Sequence, residues 1–124
     1  EPADDESYDR CLVAADALLL NQRATVSDMS FPSKLSAYLS AGRPVVAAAA
    51  ETSPGARLLE EAGAGVVVRP DQPRELAEAV TKLSYNRDHG ERLGARGREF
   101  ACRELSADAM LRKYEHFVFD LAQR

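Results

Sequence analysis

A chain of 124 residues with 45% hydrophobic and 29% charged side chains suits a single globular domain, which at this length buries roughly two-thirds of its extended surface. A formal net charge of -4 argues against a large nucleic-acid footprint while leaving room for a local basic pocket. No apolar run approaches the ~18 residues of a bilayer span, and the acidic opening "EPADDESYDR" has the character of neither a signal nor a transit peptide.

Along the chain, "DDESYDRCLVAAD" places Tyr8, Cys11, Leu12 and Ala15 at helical spacing, which predicts a short amphipathic helix. "ALLLN" follows as a buried strand ending near Asn21, then a polar loop, "QRATVSDMS". Pro32 suits the first turn of a helix, whose apolar face is Leu35, Tyr38 and Leu39 and whose end is marked by Gly42 and Pro44. "PVVAAAA" predicts a second strand, "SPGARLLEEAG" a helix capped by Ser53, and "AGVVVR" a third strand. "DQPRELAEAVTKLSYN" carries Leu76, Ala77, Val80 and Leu83 at helical spacing. The tail reads as two helices, with Ser106 as the cap between them. Strands alternating with helices predict an α/β, Rossmann-like, mainly parallel sheet with flanking helices. Three strands are few for such a sheet, so the chain is expected to be the later part of a domain whose opening units are absent, or a piece that stands alone.

Ligands of open parallel sheets bind beyond the carboxyl ends of the strands, where the next helix begins. The helix start near Pro32 fits that place, and its unpaired N–H groups at Ser33, Lys34 and Leu35 form a candidate anion site. Ser30 or Ser33 adds a hydroxyl donor, and Lys34 and Arg23 add positive charge suited to a diphosphate. Ordinary helix capping accounts for Ser-x-Pro-Ser equally well, and lysine is a common surface residue.

Other features have plainer explanations. Cys11 and Cys102 are too few and too distant for a metal or redox motif, and are expected as small core residues in a reducing cytoplasm. His89 and His116 sit far from any cysteine or acidic cluster, so no metal site is expected. "GARG", Gly94 to Gly97, is expected to mark a kink or junction. Arg92, Arg96, Arg98 and Arg103 read as a solvated helix face, and Tyr114, Phe117, Val118 and Leu121 as the stripe that docks the last helix on the body.

The run "DMSFPSKLSAYLSAGRPVVAA", preceded by "AADALLLNQR" and followed by "GAGVVVRPDQPRELAEAV", resembles the donor-binding half of family 4 glycosyltransferases of the GT-B fold, closest to bacterial colanic-acid-type exopolysaccharide enzymes. The resemblance covers nearly the whole chain. It implies the incomplete C-terminal domain of a two-domain hexosyltransferase, with the N-terminal acceptor domain and the first strands of this domain lying outside the sequence. It also implies that backbone amides of Phe31 to Lys34, with Ser30, Pro32 and Arg23 around them, hold the diphosphate of a UDP-, GDP- or ADP-sugar. Tyr38 is the expected base or ribose contact, and no cofactor or metal is called for.

Two glutamates that many family members carry eight positions apart correspond here to Met29 and Ala37, so neither glutamate role is carried over, and no catalytic base is assigned. Transfer to a polysaccharide or lipid-linked acceptor needs both sides of a cleft, so the chain alone is expected to be inactive. The expected setting is the cytoplasm, peripheral at the inner face of the membrane in the complete enzyme. The expected partners are the nucleotide sugar, the acceptor domain and, through an exposed sheet edge, a second copy. A stand-alone scaffold or interaction module built on the same fold is the alternative. A nucleotide-sugar epimerase would draw its acid–base residues from elsewhere. A receiver-like domain is set aside, because "ALLLNQ" ends in amides rather than acids.

Overall fold

The computed structural model describes residues 4–26 and 33–123. Helix α1 (Asp5–Ala14) leads to β1 (Leu18–Asn21) and a short 3-10 turn (Ala24–Val26); α2 (Lys34–Ser40), β2 (Val45–Ala48), α3 (Pro54–Ala62) and β3 (Gly65–Val68) follow. Three further helices complete the chain: α4 (Pro73–Ser84), α5 (Arg87–Phe100) and, after a π turn at Ala101–Leu105, α6 (Ala107–Ala122). The strands form one all-parallel sheet in the order β1-β2-β3, with Leu18, Val45 and Gly65 in register at one end and Asn21, Ala48 and Val68 at the other. The expected α/β, Rossmann-like parallel arrangement is therefore what the chain adopts.

Alternation along the strands sorts the core into two layers. Leu18, Leu20, Val45 and Ala47 point to one face, where Leu35 and Leu39 of α2, Leu59 and Ala62 of α3, Leu12 of α1 and Phe100 of α5 cover them. Val46, with Val66 and Val68 beside it, points to the other face, covered by Ala79 and Leu83 of α4 and Leu93 of α5. Helices α2 and α3 share a face because the sheet grows in one direction through successive crossovers. The second layer does not reach β1, and Leu19 stays 49% exposed beside an edge with no partner strand among the described residues. "ALLLN" is thus covered on one face only, not buried on both as its apolar run suggested.

Local signals behave as their chemistry dictates. Ser53 Oγ accepts from the Ala56 N–H at 3.2 Å, Ser106 Oγ from Ala109 N–H at 3.2 Å, and Gly63 closes α3 in the left-handed conformation. Cys11 and Cys102 are both exposed, contrary to expectation, because α1 turns only Leu12 inward and Cys102 lies on the outer side of the π turn.

"GARG" is also not a kink. Helix α5 runs unbroken through it, and a Cβ added to Gly94 would stand 2.2 Å from the carbonyl oxygen of Gly42 and 3.1 Å from Cα of Arg43. Gly42 itself ends α2 at φ +70°, which turns that carbonyl toward α5. Helix α5 therefore crosses beneath the turn that enters β2, closing the amino end of the sheet.

The last helix departs most from expectation. Only Ala109 of α6 is buried, while Tyr114, Phe117, Val118 and Leu121 are all more than half exposed, so the stripe does not dock on the body. What anchors α6 is polar: Lys113 Nζ lies 2.9 Å from Glu104 Oε2 and donates to the Glu104 carbonyl at 3.3 Å. Hydrogen bonds from Lys113 and then Arg103 hold the Glu104 carboxyl below the ordinary glutamate range.

Two predictions follow from these contacts. Gly94→Ala should destabilise the chain by about 3 kcal/mol or more and lower Tm on the order of 10 °C, since the obstacle is backbone. Gly90→Ala, whose new methyl meets nothing nearer than Pro44 Cγ at 3.6 Å, should be neutral or stabilising; equal melting curves for the two would refute the close approach. Because the folded-state pKa of Glu104 is depressed, its contribution is present above the ordinary glutamate value and lost as pH falls through the depressed one. Acidification should accordingly lower the protection of α6 amides, measured against their intrinsic exchange rates, by a small factor, as befits exposed groups, and Glu104→Gln should abolish that loss of protection.

Candidate functional site

With α5 across the amino ends of the strands, the carboxyl end is bounded only by loops. Strand β1 runs out through Asn21, Gln22 and Arg23; β2 through Ala49 to Ser53; and β3 through Arg69, Pro70 and Asp71. Helix α2 begins at this end, with Lys34 its first residue and Ser33 preceding it in a right-handed helical conformation. Ser33 makes no side-chain capping bond, so its hydroxyl is not committed to the helix start, and both Ser33 and Lys34 are exposed. Arg23 is exposed too, and neither Arg23 nor Lys34 has an ion-pair partner among the described residues. Ser30, Phe31 and Pro32, three of the expected phosphate contacts, lie outside the described residues, as does Met29.

Two neighbours define the electrostatics of this end. Arg69 is engaged by Glu75 in the first turn of α4, its Nε donating to Glu75 Oε1 at 3.0 Å. The pair raises the guanidinium pKa and lowers the carboxyl, through the hydrogen bond first, so both groups stay charged and Glu75 balances Arg69. Asp71 adopts φ 58°, unusual for a non-glycine residue, and its Oδ2 accepts from the Ala24 N–H at 3.2 Å. That bond ties the loop after β3 to the loop after β1 across the end of the sheet. The side-chain oxygen of Gln22 is buried there with no hydrogen-bond partner among the described residues, although the Gln22 N–H is satisfied by the Ala48 carbonyl at 2.8 Å.

Tyr38 stands one turn into α2, half-buried against the core. Burial, and secondarily Tyr8 of α1, raise its phenol pKa, so the hydroxyl stays protonated and is available as a donor. Ala37 is half-buried against the same core. Among the described residues no group of three or more His, Cys, Asp or Glu is arranged to hold a metal ion, and no helix is long and apolar enough to cross a membrane.

A cleft of about 710 Å³ lies at the opposite end of the sheet. Asp16, Pro44, Ser84, Arg87, Glu91 and Arg98 line it, with Arg87 and Asp16 at 3.6 Å. Both acids and bases border it, and its walls combine helix surfaces with the turn at Gly42–Pro44. Asp71 and Gln22 had no motif to mark them in the sequence; a proline on either side of "DQ" was the one available hint of a turn. No family model, curated protein or solved structure matches the chain.

Asp71 supplies a direct check on the loop arrangement. Asp71→Ala keeps the strained backbone and loses the bond to Ala24, and should cost about 1–2 kcal/mol in urea unfolding. Asp71→Gly relieves the φ and should cost less. If the alanine variant were the more stable of the two, the left-handed tether would be wrong.

Proposed function

We propose that this chain is the donor side of a sugar-transfer enzyme of the family 4 glycosyltransferase type, in which residues 30–34 receive the diphosphate of a nucleotide sugar. The observation that carries the reading is the sequence run "FPSKLSAYLSAGRPVV", whose Lys34 opens α2 on the way from β1 to β2 of a parallel sheet. Exposed Lys34 and Arg23 supply charge to a diphosphate, and the uncommitted Ser33 hydroxyl supplies a donor. In transfer, the same groups would neutralise the phosphate oxygens as the bond to the sugar breaks. Tyr38 would lie on the base or ribose side.

On this reading the acceptor, polysaccharide or lipid-linked, is held by a second domain outside this sequence, and the deprotonating base comes from there. The earlier strand–helix units of a complete donor domain would pair with β1 and cover Leu19. On the same reading the chain by itself would bind the donor without transferring its sugar.

A second reading, a scaffold that keeps the fold without the chemistry, is favoured by Ala37 and Met29 standing where many family members carry glutamates. An NMR amide titration with UDP, GDP and ADP separates the two. The donor reading expects shifts clustered at Arg23 and at residues 30–35 for one of the three nucleotides. Lys34→Ala should then weaken that binding roughly tenfold, equivalent to about 1.4 kcal/mol. A dispersed spectrum that none of the nucleotides moves would overturn the donor reading and leave the scaffold.

A further inference from the structure

Arg23 leaves the sheet between two backbone anchors. On one side, just past the end of β1, the Gln22 N–H donates to the Ala48 carbonyl at 2.8 Å. On the other, the Ala24 N–H, which opens the 3-10 turn, donates to Asp71 Oδ2 at 3.2 Å. The second anchor arrives from 47 residues along the chain, in the loop after β3. Arg23 itself is exposed, and its side chain has no ion-pair partner among the described residues. Its backbone is thus restrained on both sides while its guanidinium is left open to solvent.

Asp71 makes its bond from a backbone conformation that glycine adopts without strain. With φ 58° it is the one non-glycine residue of positive φ among the described residues. A glycine there would avoid the strain and lack the carboxylate; aspartate accepts the strain and supplies it. What the carboxylate holds is the peptide that joins Arg23 to Ala24. We infer that Asp71 is a positioning residue for the diphosphate site, acting through the Ala24 amide on Arg23. The inference rests on the donor reading above and adds to it a residue from the far loop.

An arginine on a free loop gives up backbone and side-chain freedom when it closes on a phosphate, and that loss weakens binding. With Gln22 and Ala24 both held, the backbone is ordered during folding and only the side chain remains to be ordered by the ligand. Charge acts in the opposite direction, since a carboxylate repels an incoming diphosphate, but solvent and salt screen that repulsion at an exposed loop. The anchor itself needs an oxygen acceptor and no charge, so an asparagine amide oxygen can replace it. Acceptor, charge and backbone strain are therefore separable by substitution at this one position.

Titration of the full chain and its variants with UDP, GDP and ADP, followed through NMR amide shifts, tests the inference. Asp71→Gly and Asp71→Ala should weaken binding alike, by roughly fivefold, although the two differ in stability. Asp71→Asn, which tolerates the left-handed φ and keeps an oxygen acceptor, should bind at least as tightly as the parent chain. In an Arg23→Ala background, where Lys34 still attracts the phosphate, Asp71→Gly should weaken binding no further. Affinity that follows stability and not the acceptor, or an asparagine variant as weak as the glycine one, would overturn the inference. So would a glycine variant that still loses affinity without Arg23. Indifference of all three Asp71 variants, in a parent chain that binds, strikes this inference alone; a parent chain that no nucleotide moves strikes the donor reading and this inference with it.

Discussion

The contact on which the architecture turns is backbone against backbone, where Gly94 of α5 meets the Gly42 carbonyl at the entry to β2. Two side chains are missing from that crossing by necessity. Each helical glycine costs roughly 1 kcal/mol of helix propensity, so α5 gives up stability of its own to approach this closely. What it gains is position. Leu93 and Phe100, on opposite sides of Gly94, reach the two separate layers of the core, so one helix joins both faces of the sheet. The amino ends of the strands are thereby closed, and the carboxyl ends are left to the loops.

Charge at the loop end is set by what has already been spent. Arg69 is paired with Glu75, which balances its charge, while Asp71 is turned to hold the Ala24 amide. Arg23 and Lys34, one after β1 and the other opening α2, are both exposed and without an ion-pair partner among the described residues. A ligand entering there would meet those two charges, the Ser33 hydroxyl and the amides of a helix start. Such a set suits a doubly charged phosphate better than a carboxylate or a neutral sugar.

Much of the fold was legible because its signals are local. Short apolar runs located the strands, and Ser53 and Ser106 announced helix starts through side-chain chemistry that operates within four residues. What was not legible depends on partners distant in sequence. "GARG" looks like a helix breaker until Gly42, some fifty residues earlier, is brought against it. The stripe on α6 carries the period of a docked helix, and period alone does not say whether the partner belongs to the same chain. Cys11 keeps helical spacing with Tyr8 and Ala15 yet lies outside, since α1 buries Leu12 only. At the site, Lys34 and Arg23 were readable from their place after a strand and at a helix start, whereas Asp71 and Gln22 acquire meaning only once the β1 and β3 loops are side by side.

The central claim is that the carboxyl end of the sheet, and not the wider cleft at the amino end, is where this molecule receives its ligand. A crystal structure of the chain grown with a nucleoside diphosphate tests it most directly. The account predicts electron density for the diphosphate at residues 30–34, within reach of Arg23 and Lys34. Density between Asp16 and Arg87 in the opposite cleft, or none at saturating nucleotide, would contradict it.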